Sequence, residues 1–241
     1  MTALSAAAVA DPTVESVLSA KERNANDLSQ GLPGRRLGGG TRSDLVFSNA
    51  YADLVALTAP RSLSITTALQ LKLLFYVPEM TTANTAEFVL FNQNDELVYE
   101  TIFEVGSTGG LVSIGPPANL PPLTLNENYR WYFSIIPAAD DRAHDIVVYG
   151  GVRRVREADW LAQQQIEVSS LDQLTPLMRA RLLYQQADLW LDAAVMLDQM
   201  RRQNPDDAVI AAEWTRLLES AGLARLLQPL QPPADSNNLS S

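Results

Sequence analysis

A stretch rich in glycine and arginine, GLPGRRLGGGTR at residues 31–42, has the composition of a loop that grips phosphate. A nucleotide-binding P-loop needs a Lys followed by Ser or Thr after its last glycine, and a β-strand before its first. Neither condition is met here. Two interpretations stay open: a glycine-flexed linker, or a docking segment in which Arg35, Arg36 and Arg42 contact an acidic partner or the acidic body of the chain.

The only histidine lies in the acidic segment ADDRAHD, where an acid–base or metal site is conceivable. Such a site would combine His144 with Asp140, Asp141 and Asp145. Metal sites need ligands that rigid elements hold at defined spacing, whereas these four residues share one short polar loop. The pattern therefore favours a solvated hairpin between strands.

A second arginine group, Arg153, Arg154 and Arg156, occurs in GGVRRVR at the end of a strand pattern. Strand alternation places Arg154 and Arg156 on one face, next to Glu157 and Asp159. Interdomain or surface salt bridges are the favoured interpretation, and an anion-binding patch is the alternative.

Composition excludes several classes of chemistry. The 241 residues include 18 Lys and Arg against 28 Asp and Glu, a net charge of -10, so a phosphate backbone is repelled on average and no nucleic-acid partner is expected. There is no cysteine, which excludes disulfides, thiol catalysis, zinc–thiolate sites and iron–sulfur clusters. No cofactor and no metal are predicted.

The first residues, MTALSAAAVADP, resemble the end of a secretory signal, because Ala8, Val9 and Ala10 form an A-x-A cleavage pattern. The basic front and the full apolar region of such a signal are missing. A signal remnant predicts export to the periplasm or cell envelope; a chain complete as given would be cytoplasmic. No run approaches the roughly 20 apolar residues of a membrane span.

Residues 44–155 show short β-rich runs separated by turn residues, and residues 1–43 are predicted to be a flexible N-terminal arm. Seven runs are candidate strands: 54–59, 69–77, 85–92, 96–105, 110–115, 128–136 and 145–155. Seven strands without helical periodicity between them predict an antiparallel, immunoglobulin-like β-sandwich.

The strand NYRWYFSII has the clearest alternation. Tyr129, Trp131, Phe133 and Ile135 are expected to face inward, with the residues between them facing outward. The spacing of Leu125 and Tyr129 is similar to the tyrosine corner of immunoglobulin-like sandwiches.

After Val155 the apolar period becomes helical, which predicts a C-terminal helical lobe at residues 156–226 and a disordered tail at 227–241. The expected helices are 157–168, one capped by Thr175 and Pro176, one ended by Asn204 and Pro205, and one capped by Gly222.

The spacing in this lobe resembles a tetratricopeptide unit of about 34 residues. Tyr184, Ala193, Leu197 and Pro205 fall at its marker positions. The pattern predicts a tetratricopeptide-like hairpin plus a capping helix, too short to stand alone, that packs on the sandwich through helix 157–168.

Trp160, Trp190 and Trp214 recur in the helical lobe. Aromatic residues in small helical bundles usually lie in the core, and only an exposed pair along a groove would indicate peptide binding. The core interpretation is the favoured one.

Four segments together resemble a known family: GLPGRRLGGGTR, the FYVPE strand end, LPPLTLNENYRWYFSII, and the helix junction QNPDDAV. In this order, between about Gly31 and Leu226, they are similar to the domain-of-unknown-function family numbered 928, which is found mainly in cyanobacteria. The resemblance implies a signal peptide. It implies no activity and no catalytic residues.

The expected function is a non-catalytic, exported binding or assembly module at the cell envelope, with a protein partner. Two alternatives stay open. One is a carboxylate-based hydrolase, which requires a pocket with two facing acids. The other is a glycan-binding sandwich, which requires exposed aromatic residues such as Tyr132 or Tyr149 on one face.

Overall fold

A computed structural model describes residues 37–38, 53–61, 63–167, 171 and 173–227. In this part of the chain, nine β-strands come first and four α-helices follow. The strands are Leu37–Gly38 (β1), Leu54–Ala56 (β2), Leu63–Thr66 (β3), Leu73–Val77 (β4), Asn84–Phe91 (β5), Leu97–Val105 (β6), Gly110–Ile114 (β7), Asn128–Ile136 (β8) and Ile146–Arg154 (β9). The helices are Glu157–Gln163 (α1), Pro176–Gln185 (α2), Trp190–Gln203 (α3) and Ala208–Ser220 (α4).

The strands form two sheets, so the mixed β and α class predicted from the sequence is confirmed. One sheet has four strands in the order β1-β2-β4-β7, and the other has five in the order β3-β9-β8-β5-β6. Each of the seven predicted strands overlaps an observed one.

The prediction of seven antiparallel strands was wrong in two respects. Two further strands, β1 and β3, are present, and β3 pairs parallel with β9 from Leu63 opposite Gly151 to Thr66 opposite Arg154. β1 has only two residues, and β3, LSIT, alternates over only four, which is too short a run to indicate a strand by periodicity alone.

The four-stranded sheet is the middle layer of three. In β4, Leu73, Phe75 and Val77 face the core between the two sheets, whereas Leu74 and Tyr76 face the helices. β2 divides in the same way, with Leu54 and Ala56 in the first core and Val55 in the second. A strand buried on both faces needs apolar side chains at consecutive positions, which explains the runs LVAL and LLFYV.

Aromatic rings fill the centre of the core between the sheets. Phe75 of β4 stacks on Phe133 of β8 with ring centroids 4.3 Å apart, and it meets Trp131 edge-on at 5.4 Å. The predicted inward set of β8 is confirmed, since Tyr129, Trp131, Phe133 and Ile135 all belong to this core.

Trp131 needs a glycine opposite it on β9. A Cβ atom at Gly150 would lie 2.6 Å from Cζ2 of Trp131. We expect Gly150→Ala to lower the free energy of unfolding by about 1–3 kcal/mol, because the indole must move within a filled core. Urea denaturation measures this. Gly106→Ala is the matched control, since a Cβ there meets nothing within 4 Å, and equal losses in the two variants would contradict the explanation.

The helix ends follow the predicted capping signals. Thr175 precedes Pro176 and its hydroxyl accepts a hydrogen bond from the backbone N–H of Met178 at 3.3 Å. α3 ends just before Asn204, and Gly222 after α4 has a φ of 69°, in the left-handed region that glycine adopts without strain. α1 is shorter than predicted, ending at Gln163.

The helical layer covers the four-stranded sheet mainly through α3, not through helix 157–168 as predicted. α3 packs on β3 and β4. It is the longest of the four helices, and its Ala193, Ala194 and Leu197 are fully buried. α1 contributes Leu161 to the same core.

Candidate functional site

The three arginines of the glycine-rich stretch, Arg35, Arg36 and Arg42, lie outside the described residues. Within that stretch, Leu37 and Gly38 form β1, which pairs antiparallel with β2. The two interpretations of the arginines, docking segment and linker, stay predictions.

Each member of the second arginine group has a partner close by. Arg153 donates from Nε to the side chain of Asn128 at 2.8 Å, and Arg154 donates to the backbone carbonyl of Leu123 at 2.9 Å. Arg156 pairs with Asp159 at 3.4 Å with both side chains well exposed, which is the surface salt bridge that the sequence favoured. Such exposed pairs contribute about 1 kcal/mol or less.

The segment around His144 is a structural connection between β8 and β9. His144 lies 2.7 Å from Asp141, and Arg142 bridges Asp145 at 2.7 Å and Glu87 of β5 at 3.0 Å. Arg142 therefore fastens this connection to the outer face of the five-stranded sheet. Nowhere in the described part of the chain do three His, Asp or Glu side chains form a group that could hold a metal ion.

Two tryptophans of the helical lobe lie in its core, and the third, Trp160, is partly buried against it. Trp190 and Trp214 are buried, and Trp160 donates from its indole N–H to the carbonyl of Ala187 at 2.6 Å. Arg201 lies over the ring of Trp214, with its guanidinium carbon 5.2 Å from the ring centroid. No exposed pair of tryptophans lines a groove among the described helices.

The aromatic residues required for glycan binding are aligned but not exposed. Tyr132 and Tyr149 lie opposite each other on β8 and β9 and stack at 5.8 Å, on the outer face of the five-stranded sheet. Their exposed fractions are only 3% and 8%. Burial raises the pKa of the Tyr132 hydroxyl, an effect that Arg130 opposes.

The feature that sequence reasoning missed is the free edge of the five-stranded sheet, β6. Within the described chain, β6 pairs only with β5, from Asn84 opposite Val105 to Phe91 opposite Leu97. Leu97 and Ile102 are exposed to 55% and 60%, unusually high for large apolar side chains in a strand. The alternation of ELVYETIFEV predicted a strand, but it did not indicate a position at the end of a sheet.

β7, the edge of the other sheet, lies on the same side of the molecule as β6. β2 packs near β9, and β4 stacks over β8 and β5, so the sheet orders place β7 over β6. Between these two edges the core is incompletely covered. Four side chains there are packed against the core yet only partly buried: Tyr99, Phe103, Val112 and Ile114. We call β6 together with these four side chains the open edge.

Two carboxylates of the helical layer, Glu213 and Asp198, are held by arginine side chains. The Glu213 side chain on α4 is 0% exposed and accepts from Arg181 of α2, from Arg216 at 3.0 Å and from the Tyr184 hydroxyl at 2.7 Å. The Arg181 hydrogen bond leads the effects that lower the pKa of Glu213 to about 2, whereas burial and this carboxylate raise the pKa of Tyr184 to about 12. Asp198 of α3 forms ion pairs with Arg201 at 3.0 Å and with Arg202 at 2.8 Å.

A further carboxylate lies where the helices meet β3. Asp192, in the first turn of α3, accepts from the Thr66 hydroxyl at 2.5 Å and from both the backbone N–H and the hydroxyl of Thr67 at 2.8 Å. Burial raises the pKa of Asp192, against the lowering effect of these hydrogen bonds, and the negative charge of Glu157 raises it further. Asp192 therefore links the first turn of α3 to the end of β3.

Because the pKa of Asp192 is raised in the folded state, its contribution to stability is lost as pH rises through that pKa. We expect Asp192→Asn, which keeps an acceptor for Thr66, to remove this loss. The melting temperature of the wild type minus that of the variant should therefore fall between pH 4 and pH 7, which thermal unfolding at several pH values measures. Asp206→Asn, at an exposed position, is the control. A wild-type-minus-variant difference for Asp192→Asn that rises with pH would contradict the assignment.

The profile of one protein family, described as Domain of Unknown Function (DUF928), matches residues 37–230. The chain belongs to this family. The match begins at the first residue of β1 and continues past α4, so the family pattern includes both sheets and the helical layer. Of the three predicted docking arginines, the family match includes Arg42 but not Arg35 or Arg36. No curated protein matches the chain.

None of the helices in the described part of the chain is both long and apolar enough to cross a membrane.

Proposed function

We propose that this member of the family is a non-catalytic binding or assembly module, exported to the cell envelope, that takes a protein partner at the open edge. The observation that carries the proposal is the exposure of Leu97 and Ile102 on a strand that ends a sheet. Unpaired strand edges with apolar side chains are surfaces on which another chain can add.

The proposal includes an immunoglobulin-like sandwich, an architecture that often serves recognition. The order β9-β8-β5-β6 corresponds to strands G, F, C and C′ of the variable type, and β2-β4-β7 to strands A, B and E. The Tyr129 hydroxyl accepts from the backbone N–H of Thr124 at 2.9 Å, as the hydroxyl of a tyrosine corner does. The backbone donor is Thr124, one residue before the Leu125 that the sequence spacing indicated.

The proposal also includes a tetratricopeptide-like arrangement of α2, α3 and α4. Ala180 of α2 and Trp214 of α4, at equivalent positions of successive units, are both buried. Ala193 and Leu197 of α3 are fully buried as well. In this interpretation the first unit packs on the middle sheet, which supplies the burial that one and a half units lack.

Capture of partners tests this function. A tagged wild-type chain is cross-linked in its native envelope fraction and the products are identified by mass spectrometry, with cell fractionation reporting where the chain resides. We expect one protein to be recovered reproducibly from the envelope. The proposal fails if nothing is recovered and the purified chain turns over a substrate in a hydrolase panel, or if the chain resides in the cytoplasm.

A further inference from the structure

We propose that β6 accepts an extended segment of a partner protein as an additional strand, and that this segment alternates apolar side chains with lysine or arginine. The inference rests on the binding function proposed above and specifies its surface and the chemistry of the partner. Three features of the open edge support it: the backbone of β6, the uncovered core beside it, and its charge.

The backbone of β6 offers a long row of hydrogen-bonding groups. The strand has nine residues, and on an edge strand the groups of alternate residues point away from the neighbour that it pairs with. At about 3.4 Å per residue the row extends for roughly 30 Å. At the opposite edge of this sheet, β3 has only four residues and α3 packs on it. The open edge is therefore where this sheet can be extended.

The uncovered core gives the incoming strand a place for alternate side chains. Tyr99 and Phe103 of β6 and Val112 and Ile114 of β7 are packed against the core but only partly buried. A strand added to β6 would direct every second side chain toward these four residues. Apolar side chains at those positions would continue the core between the two sheets.

The other face of the added strand would meet acidic residues. Glu100 and Glu104 of β6 are exposed on the outer face, with Ile102 between them, and β6 contains no Lys or Arg. Glu104 makes no ion pair with any residue that the structure describes. Lysine or arginine at the outward positions of the partner would lie opposite these carboxylates, and cross-strand pairs of opposite charge stabilise a sheet.

The same charges disfavour a second copy of this chain as the occupant. Pairing two β6 strands would bring four glutamates, Glu100 and Glu104 from each copy, into one two-stranded seam. Like charges that face each other across strands are destabilising, and each chain carries a net charge of -10. A basic segment of a different protein can hydrogen-bond to the edge backbone of β6 and also neutralise its glutamates.

A synthetic peptide as long as β6, alternating lysine with valine, is the probe. It is added to the whole chain, and amide hydrogen exchange is followed by NMR. We expect protection to increase in β6 and not in β3, and affinity to weaken as salt is added, because exposed charges are screened. The control peptide replaces each lysine by glutamate and should not bind. Absence of protection in β6, or equal binding of both peptides, would overturn the proposal.

The matched variants change exposed side chains alone. Ile102→Lys combined with Glu104→Lys should weaken binding of the basic peptide about tenfold, since the attraction by Glu104 becomes a repulsion and the lysine introduced at position 102 adds a second positive charge beside it. Val209→Lys on α4 is the control, because Val209 is 59% exposed against 60% for Ile102. Melting temperatures close to the wild type show that the variants fold. Unchanged affinity in the double variant would show that the peptide does not bind at β6.

Two other outcomes separate this inference from the proposed function. Protection of β6 without peptide, together with a doubled mass in sedimentation, would make a second copy the occupant and overturn the inference. If a partner is captured from the envelope equally well by the wild type and by the double variant, the binding function stands and the open edge is not its surface. Hydrolase turnover would count against the binding function without involving the peptide at all.

Discussion

Replacing Phe75 by alanine is expected to lower the free energy of unfolding by about 3–5 kcal/mol. Phe75 is 0% exposed, stacks on Phe133 and meets Trp131 edge-on, so its removal leaves a cavity that rigid rings on the facing sheet cannot fill. Urea denaturation with fluorescence detection measures the change.

Leu69→Ala is the control for this substitution, since Leu69 is 63% exposed and its truncation should change stability by about 0.5 kcal/mol or less. A loss below about 1 kcal/mol in Phe75→Ala would mean that the two sheets do not pack on each other through this ring.

The second large effect is expected at Glu213. Its pKa is lowered from 4.5 in the unfolded chain to about 2 in the folded one. A carboxyl group with a depressed folded pKa stabilises the fold fully above its unfolded pKa, and this contribution is lost as pH falls toward the folded value. The shift corresponds to about 2–3 kcal/mol, toward the lower end because the two arginines are about half exposed.

Glu213→Gln is therefore expected to be about 2 kcal/mol less stable at pH 7 than the wild type, and the difference should shrink between pH 5 and pH 2. Thermal unfolding across this pH range measures both quantities. Glu219→Gln, on the exposed face of the same helix, is the control. A constant gap between Glu213→Gln and the wild type down to pH 2 would show that the carboxylate is not held by Arg181 and Arg216.

Local patterns predicted the elements of this fold but not how they meet. Alternation and turn residues identified seven of the nine described strands, and capping residues such as Thr175 and Gly222 identified the helix ends, because these signals lie within a few residues of one another. The pairing of β3 with β9 joins segments more than 80 residues apart (Leu63 to Gly151, a separation of 88) and leaves no local trace. The length of α1 was overestimated, since Gln165 has a φ of 62° despite a sequence that continues the helical pattern.

The candidate site was harder to predict than the fold. Residue types drew attention to His144 and to Arg153, Arg154 and Arg156, yet each of these has a structural partner close by. The open edge is made of ordinary residues such as Leu97, Tyr99 and Ile102, whose significance comes from the position of β6 as the last strand of its sheet. Strand order is a property of the whole chain, so no local motif indicates it.

The strand-rich and helical segments are separate along the sequence, but their stabilities are coupled, because both bury side chains of the middle sheet. Val55, Leu57 and Leu74 are buried by the helices, while Leu54, Leu73 and Phe75 of the same strands are buried by the opposite sheet. Removal of the helices would expose the apolar side chains on one face of that sheet to solvent. The two halves should therefore melt in a single cooperative transition, and a chain cut after residue 155 should aggregate instead of folding as an independent domain.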